Sequence, residues 1–262
     1  MKYTDIVKAI EKIAPPALAE EWDNCGTQVF TGQEDVSGVL VCLEVTDEVI
    51  VEAINKDIHM IISHHPLIFG GINSVDITAY GREAVTGRYI AKLIDNDICV
   101  YSAHTSFDSS PSGNNVYLAR LLGLSDVEGP SEKLMGCIGH FEKEISFMDA
   151  RAHVASVLNL REEHLRVVAD PEMMIKTVAL CTGAGGGFLD DAVGYGCDLM
   201  ITGDVKFDQA QYAKASGIAL IDAGHFGTEK IFAENFAAQL RILAPELTVM
   251  ESVINSNPYL ID

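Results

Sequence analysis

The stretch "HMIISHHPLIFG", residues 59–70, runs a short apolar segment into two adjacent histidines and a proline. Side chains alternate between the faces of a strand, so His64 and His65 would point apart if the strand continued. Pro66 turns the chain, and at a strand end both rings can address one cavity from slightly different heights. The segment therefore reads as a buried strand whose carboxyl end presents polar ligands.

The same arrangement recurs along the chain. Short runs rich in β-branched residues appear at "GVLVCLEV", "DICVYSA", "KTVALCTG", "DLMITG", "GIALIDAG" and "ELTVMES". Between several of them lie stretches such as "EAVTGRYIAKLIDN" and "KIFAENFAAQLRIL", whose apolar residues return every three or four positions. Strand alternating with helix predicts an α/β fold with mostly parallel pairing. The strands are almost continuously apolar, as strands covered by helices on both faces are. Polar and glycine residues gather just after them, in "SHHP", "AHTSFD", "TGAGGG", "TGDVKFD" and "DAGHFGTE". In open α/β sheets that edge is where ligands bind.

Two α/β lobes are expected: residues 1–128, completed by 220–262, and residues 129–219, dividing near Gly129 and Pro130. Residues 125–176 carry no chemical motif, and "RAHVASVLNL" reads as the first helix of the second lobe.

At 262 residues, 48% hydrophobic and 21% charged, the chain fills an ordinary globular core. Eighteen basic against 38 acidic residues give a net charge of −20, which disfavours extensive nucleic-acid contact and repels anionic membrane. No segment approaches the ~18–20 apolar residues of a membrane span, and "MKYTDIVKAIEKIAPP" lacks the apolar stretch of a secretion signal. A soluble, cytoplasmic protein is expected. The six scattered cysteines, with no C-x-x-C pair, read as reduced and mostly buried thiols.

Three strand ends offer chemistry. His64 and His65 follow the first; two polar residues in a turn would explain them, and so would two neighbouring ions taking one imidazole each. His104 and Asp108, in "YSAHTSFDSS", follow the second; Asp108 could equally form a turn and cap a helix starting near Asn115. His225 and Glu229, in "DAGHFGTEKIF", stand four apart at a loop-to-helix junction, where Glu229 could also complement the helix dipole. Such imidazole and carboxylate ligands suit zinc, iron, manganese or nickel without separating them. Two such ions side by side can activate a water and stabilise an in-line displacement.

The remaining loops are weaker signals. "CTGAGGGFLDDAV" could hold an anion on its backbone N–H groups, but it has neither Walker nor dinucleotide spacing, and tight turn packing explains it as well. In "ITGDVKFDQAQYA", Asp204 reads as a cap for a helix starting at Phe207, and Lys206 either orients a phosphate or forms a surface ion pair. Trp22, the only tryptophan, reads as a packing anchor beside a turn at Asp23 and Asn24.

Taken in order, "EEWDNCGTQV", "ISHHPLIFGG", "AHTSFDSSPSGNN", "TGDVKFD" and "DAGHFGTEK" resemble the signatures of the NIF3-like family, whose members are often called GTP cyclohydrolase 1 type 2 homologs. The resemblance covers residues 18–124 and 177–255. It implies two α/β lobes with a dinuclear metal site in the cleft between them, and a homohexameric ring. By motif, one divalent ion would take His64 and Asp108, the other His65 and His225, with Glu229 bridging. His104 would lie beside the site and, with Asp208, is a candidate for catalysis. The implied function is a metal-dependent hydrolase acting on a nucleotide or other phosphorylated small molecule. The alternatives are a metal storage, delivery or sensing protein, or an adaptor whose metal is structural. The chain departs from the family pattern at Thr27, usually leucine, at Glu44, usually aspartate, and at Asp208, usually histidine.

Overall fold

The computed structural model describes residues 1–72, 75, 78, 80–130 and 135–260. The chain forms two compact units, Met1–Ser110 with Phe232–Ser256, and Pro111–Ile231 with Asn257–Asp262. No helix among the described residues is long and apolar enough to cross a membrane.

The first unit is built on a sheet of β1 (Gly26–Val29), β2 (Gly38–Cys42), β3 (Met60–Ser63), β4 (Cys99–Ser102) and β11 (Thr248–Glu251), in the order β1-β4-β3-β2-β11. The pairs β4-β3, β3-β2 and β2-β11 are parallel, and β1 lies antiparallel at the edge. Every residue of β2, β3 and β4 is buried, which accounts for their unbroken apolar character. Leu40, Ile61 and Val100 pack with Val49, Ile50 and Ala53 of α2 (Asp47–Asn55) and with Leu93 of α3 (Arg82–Asp95). The unit also contains α1 (Tyr3–Ile13), the single-turn α4 (Thr105–Asp108) and α10 (Phe232–Leu243), where Phe232 and Phe236 meet Phe107 edge-to-face at 5.3 and 5.1 Å. Parallel pairing brings the ends of β2, β3 and β4 to one edge, where Ser63 and Ser102 hydroxyls bond at 2.8 Å.

The second unit holds β5 (Ser125–Glu128), β6 (Cys137–Ser146), β7 (Arg166–Val168), β8 (Met174–Leu180), β9 (Leu199–Thr202) and β10 (Ala219–Asp222), in the order β5-β6-β8-β9-β10-β7. Only β8-β9 and β9-β10 are parallel; β5-β6, β6-β8 and β10-β7 are antiparallel. The expectation of mostly parallel pairing thus describes the first sheet and not the second. The motif-poor residues 125–176 supply the antiparallel strands β5, β6 and β7. The helices are α5 (Asn114–Leu121), α6 (Phe147–Val157), α7 (Leu189–Gly194), α8 (Phe207–Ser216) and the short α9 (His225–Glu229).

The units divide at Ser110/Pro111 and Ile231/Phe232, where the sequence reading placed 128/129 and 219/220. Leu118 and Ala119 of α5 join the core containing Phe141 and Val178, and β10 pairs with β9 and β7, so both elements belong to the second unit. The helix in "RAHVASVLNL" is therefore preceded in its unit by α5. All six cysteines are free thiols; five are buried, and burial pushes Cys137 up to about 12.

In the first unit, Glu52 of α2 is buried and ties down the segment after β11: it accepts from Ser252 Oγ and Val253 N, and pairs with Lys56 Nζ at 2.6 Å. Burial works to raise its carboxyl pKa, but these donors outweigh it and hold the group below its ordinary value. A depressed folded pKa gives stability that is complete above the ordinary carboxyl pKa and vanishes as pH falls through the folded one. Glu52→Gln should therefore cost about 1–3 kcal/mol at neutral pH. Denaturation curves of variant and wild type should converge in acid.

Candidate metal centre

His64 and His65 leave β3 just as its hydrogen bonding passes to the chain after β2: His64 N donates to Cys42 O and His65 N to Leu43 O. His64 is completely buried. Its Nδ1 lies 3.0 Å from Ala103 O, and since a carbonyl can only accept, Nδ1 carries the proton and Nε2 presents its lone pair. That Nε2 faces Asp108 Oδ2 at 3.6 Å. This is too long for a hydrogen bond but near the roughly 3–3.5 Å between two ligand atoms on one ion with bonds of about 2.0–2.2 Å. Asp108 closes α4 and does not cap α5, whose N-cap is Gly113 without a side-chain bond. The helix-capping explanation of Asp108 therefore fails.

His65 repeats the arrangement, with Nδ1 2.8 Å from Glu44 Oε2. The longer arm at the family's usual aspartate position still reaches the ring. His104, after β4, has Nδ1 at 3.0 Å from both oxygens of Asp23. His64, His65 and His104 each offer a ring nitrogen within 4.8 Å of the others, a set able to hold a metal ion.

Asp23, a turn residue by its sequence pattern, has a larger role. Its side chain is shut off from solvent and accepts from His104 Nδ1, Thr105 N, Thr105 Oγ1 and Cys25 Sγ. Burial works to raise its carboxyl pKa; the bonds from His104, Cys25 and Thr105 prevail and hold it well below the usual carboxylate range. Trp22 corrects the sequence reading outright: it is 63% exposed and anchors no core. Thr27, where the family usually has leucine, bonds the Tyr3 hydroxyl at 2.7 Å.

In the second unit, His225 Nδ1 lies 2.8 Å from Asp204 Oδ2, while its Nε2 lies 3.0 Å from Glu229 Oε2, one helical turn on. An imidazole between two carboxylates calls for a cation, either a second proton or a metal ion. Glu229 is buried and ends α9, and α10 starts only at Phe232. It therefore does not stand in the first turn of a helix, and a carboxylate at a helix C-terminus opposes the dipole. Asp204, expected to cap α8, holds the His225 ring instead, from a left-handed backbone at φ 53°. The N-cap of α8 is Lys206, whose N–H donates to Gln209 Oε1. Asp208 is exposed in the first turn of that helix.

The "TGAGGG" loop is explained by close packing. A Cβ on Gly185 would lie 2.6 Å from Thr202 Oγ1, and one on Gly186 2.3 Å from Gln209 Oε1. Gly183 lies against the carboxylate itself: its φ is +68°, and a Cβ there would fall 2.0 Å from Glu229 Oε1.

The profile of the DUF34/NIF3 family (NGG1p interacting factor 3) matches residues 1–258. A "GTP cyclohydrolase 1 type 2 homolog" of Clostridium perfringens is 35% identical over 237 residues, covering 87% of each chain. A protein of the same name from Clostridium acetobutylicum is 30% identical, covering 99% of this chain and 98% of the relative. Among solved structures, a Staphylococcus aureus protein superposes with TM-score 0.88 at 28% identity, covering 100% and 99% of the two chains. A Bacillus cereus protein related to NIF3 has the same fold, with TM-score 0.91 at 22% identity and the same coverage.

Gly183→Ala tests how closely Glu229 is held. The added methyl requires both a strained backbone and a displaced carboxylate, so a loss of about 1–3 kcal/mol in thermal unfolding is expected. Gly187→Ala, where a Cβ meets nothing within 4 Å, should leave the transition nearly unchanged.

Proposed function

The chain belongs to the DUF34/NIF3 family, and from that premise we propose a metal-dependent hydrolase in which His64, His65, Asp108, His225 and Glu229 together hold two divalent ions. In this reading one ion takes His64 and Asp108, the other His65 and His225, and Glu229 is shared. The observation that supports it is common to four histidines: His64, His65, His104 and His225 each commit Nδ1 to a carbonyl or carboxylate, which leaves Nε2 as the ligating nitrogen. Metal-binding histidines are oriented in this way by outer partners. Glu229, buried beside His225, and Asp108, opposite the buried His64, add the anionic donors such ions need.

Divalent ions bound there supply Lewis acidity and a water acidified enough to attack at neutral pH. The chain's own residues do the rest. Asp23 fixes the tautomer of His104, whose Nε2 can then accept a proton or return it to a leaving group. Asp208 is the second candidate for proton transfer. The substrate class is a nucleotide or another phosphorylated small molecule, and the name of the relatives makes GTP the first to test. We place the protein in the cytoplasm, and we take it to be a homohexamer because the resemblance implies a ring; light scattering that finds a monomer across micromolar concentrations contradicts the ring.

Titration of apo protein with one metal, followed by assays on nucleotides and phosphoesters, tests the centre. Two ions per chain are expected, and few in the His64→Ala, His65→Ala double variant. Glu229→Ala should weaken both sites together, whereas His225→Ala should weaken mainly one. A Glu229→Ala protein that keeps two ions at near-native affinity refutes the shared carboxylate. Two tightly bound ions without turnover of any tested compound favour metal storage or delivery over hydrolysis.

A further inference from the structure

Two large aromatic side chains stand in solvent beside the histidines of the first unit. Trp22 is 63% and Phe69 59% exposed. Their ring centroids lie 6.0 Å apart, and each meets the His104 ring edge-on, at 6.1 and 6.3 Å. Exposed aromatics are ordinary when the chain under them is loose, and here it is not. The residue after Trp22 is Asp23, locked by His104 and both polar groups of Thr105. The residue before Phe69 is Ile68, whose N–H donates to Gln28 Oε1 and whose carbonyl accepts from Asn24 Nδ2 at 2.7 Å. Asn24 Nδ2 also reaches Gln28 Oε1, so the two aromatic-bearing loops are tied to each other. The aromatics are thus held in place by a network of polar bonds while their faces stay wet.

We infer that Trp22 and Phe69 form a stacking shelf for the planar ring of the substrate. The inference rests on the hydrolase reading and narrows it: of nucleotides and other phosphorylated small molecules, the chain takes those that carry a heteroaromatic ring. Ligand sites combine apolar walls with a few convergent polar groups, and here the walls abut the imidazole already assigned to proton transfer. The protein carries a charge of −20, so an anionic substrate gains little from long-range attraction and must be held by short-range contact. An aromatic face supplies such contact at little conformational cost, and it tolerates any base because every base has a π-face.

Trp22 is the only tryptophan, so its fluorescence reports directly on the shelf. Full-length apo protein is titrated with adenosine 5′-monophosphate and, as a ringless control, ribose 5-phosphate. Saturable quenching by the nucleotide alone is expected. Phe69→Ala, which retains the fluorophore, should weaken binding about 5- to 150-fold, the range that corresponds to stacking on one aromatic. By calorimetry Trp22→Ala should do the same, and Trp22→Phe should retain most of the affinity, with circular dichroism confirming that each variant folds. Equal binding of both compounds, or no quenching by either, overturns the shelf. So does a fall in light-scattering mass when both aromatics are replaced, since a second copy of the chain would then be what covers them. The shelf needs no ion. Normal metal stoichiometry without ring-dependent quenching removes the shelf alone, and quenching in a protein that fails the metal titration removes the hydrolase reading alone.

Discussion

A neutral imidazole has one N–H to give, and the partner of that N–H decides which nitrogen faces the ligand. For His64, His65, His104 and His225 the partner comes from the chain around a neighbouring strand. His64, leaving β3, gives its Nδ1 proton to Ala103 at the end of β4, and His65 gives its own to Glu44 beyond β2. His104, after β4, gives it to Asp23, in the loop entering β1. In the second unit His225, after β10, turns to Asp204, after β9. Strand order therefore determines ring orientation. A different neighbour for β3 or β4 would leave the same histidines at a strand end with Nε2 pointing elsewhere.

This dependence explains what could be read from the sequence. Buried strands are legible as unbroken apolar runs, and their ends as the points where histidine, aspartate and glycine appear. His64, His104 and His225 could thus be assigned to strand ends from local pattern alone. The orienting partners could not. Asp23 and His104 are 81 residues apart, and Asp204 and His225 are 21 apart, so only tertiary pairing brings them together. Locally each aspartate looks like a turn or a cap, because aspartate performs those tasks with the same oxygens. The exposure of Trp22 is hidden in the sequence for a related reason: composition favours burial of an indole, whereas the buried side chain is that of Asp23, the residue beside it. The antiparallel strands of the second sheet were obscure because residues 125–176 lack the strand-helix alternation that signals parallel order.

Glycine completes the constraint in the second unit. A Cβ on Gly203 would fall 2.5 Å from the carbonyl carbon of Gly224, so the loops after β9 and β10 touch backbone to backbone. That approach brings Asp204 within hydrogen-bond reach of His225. Asp222 braces the same region from beneath, accepting from Val205 N and Gly224 N and pairing with Arg166. The loops are consequently fixed at both ends, and the carboxylate-imidazole-carboxylate sequence Asp204, His225, Glu229 has little freedom to open.

The partners of the strand-end histidines also differ in charge. His64, which faces Asp108, is backed by the neutral carbonyl of Ala103. His65 and His225 are each backed by a carboxylate, Glu44 or Asp204. A carboxylate behind an imidazole raises its basicity as a ligand without taking up a coordination position. His65 and His225 are thereby made more basic imidazoles than His64, whose ring is backed by a neutral group.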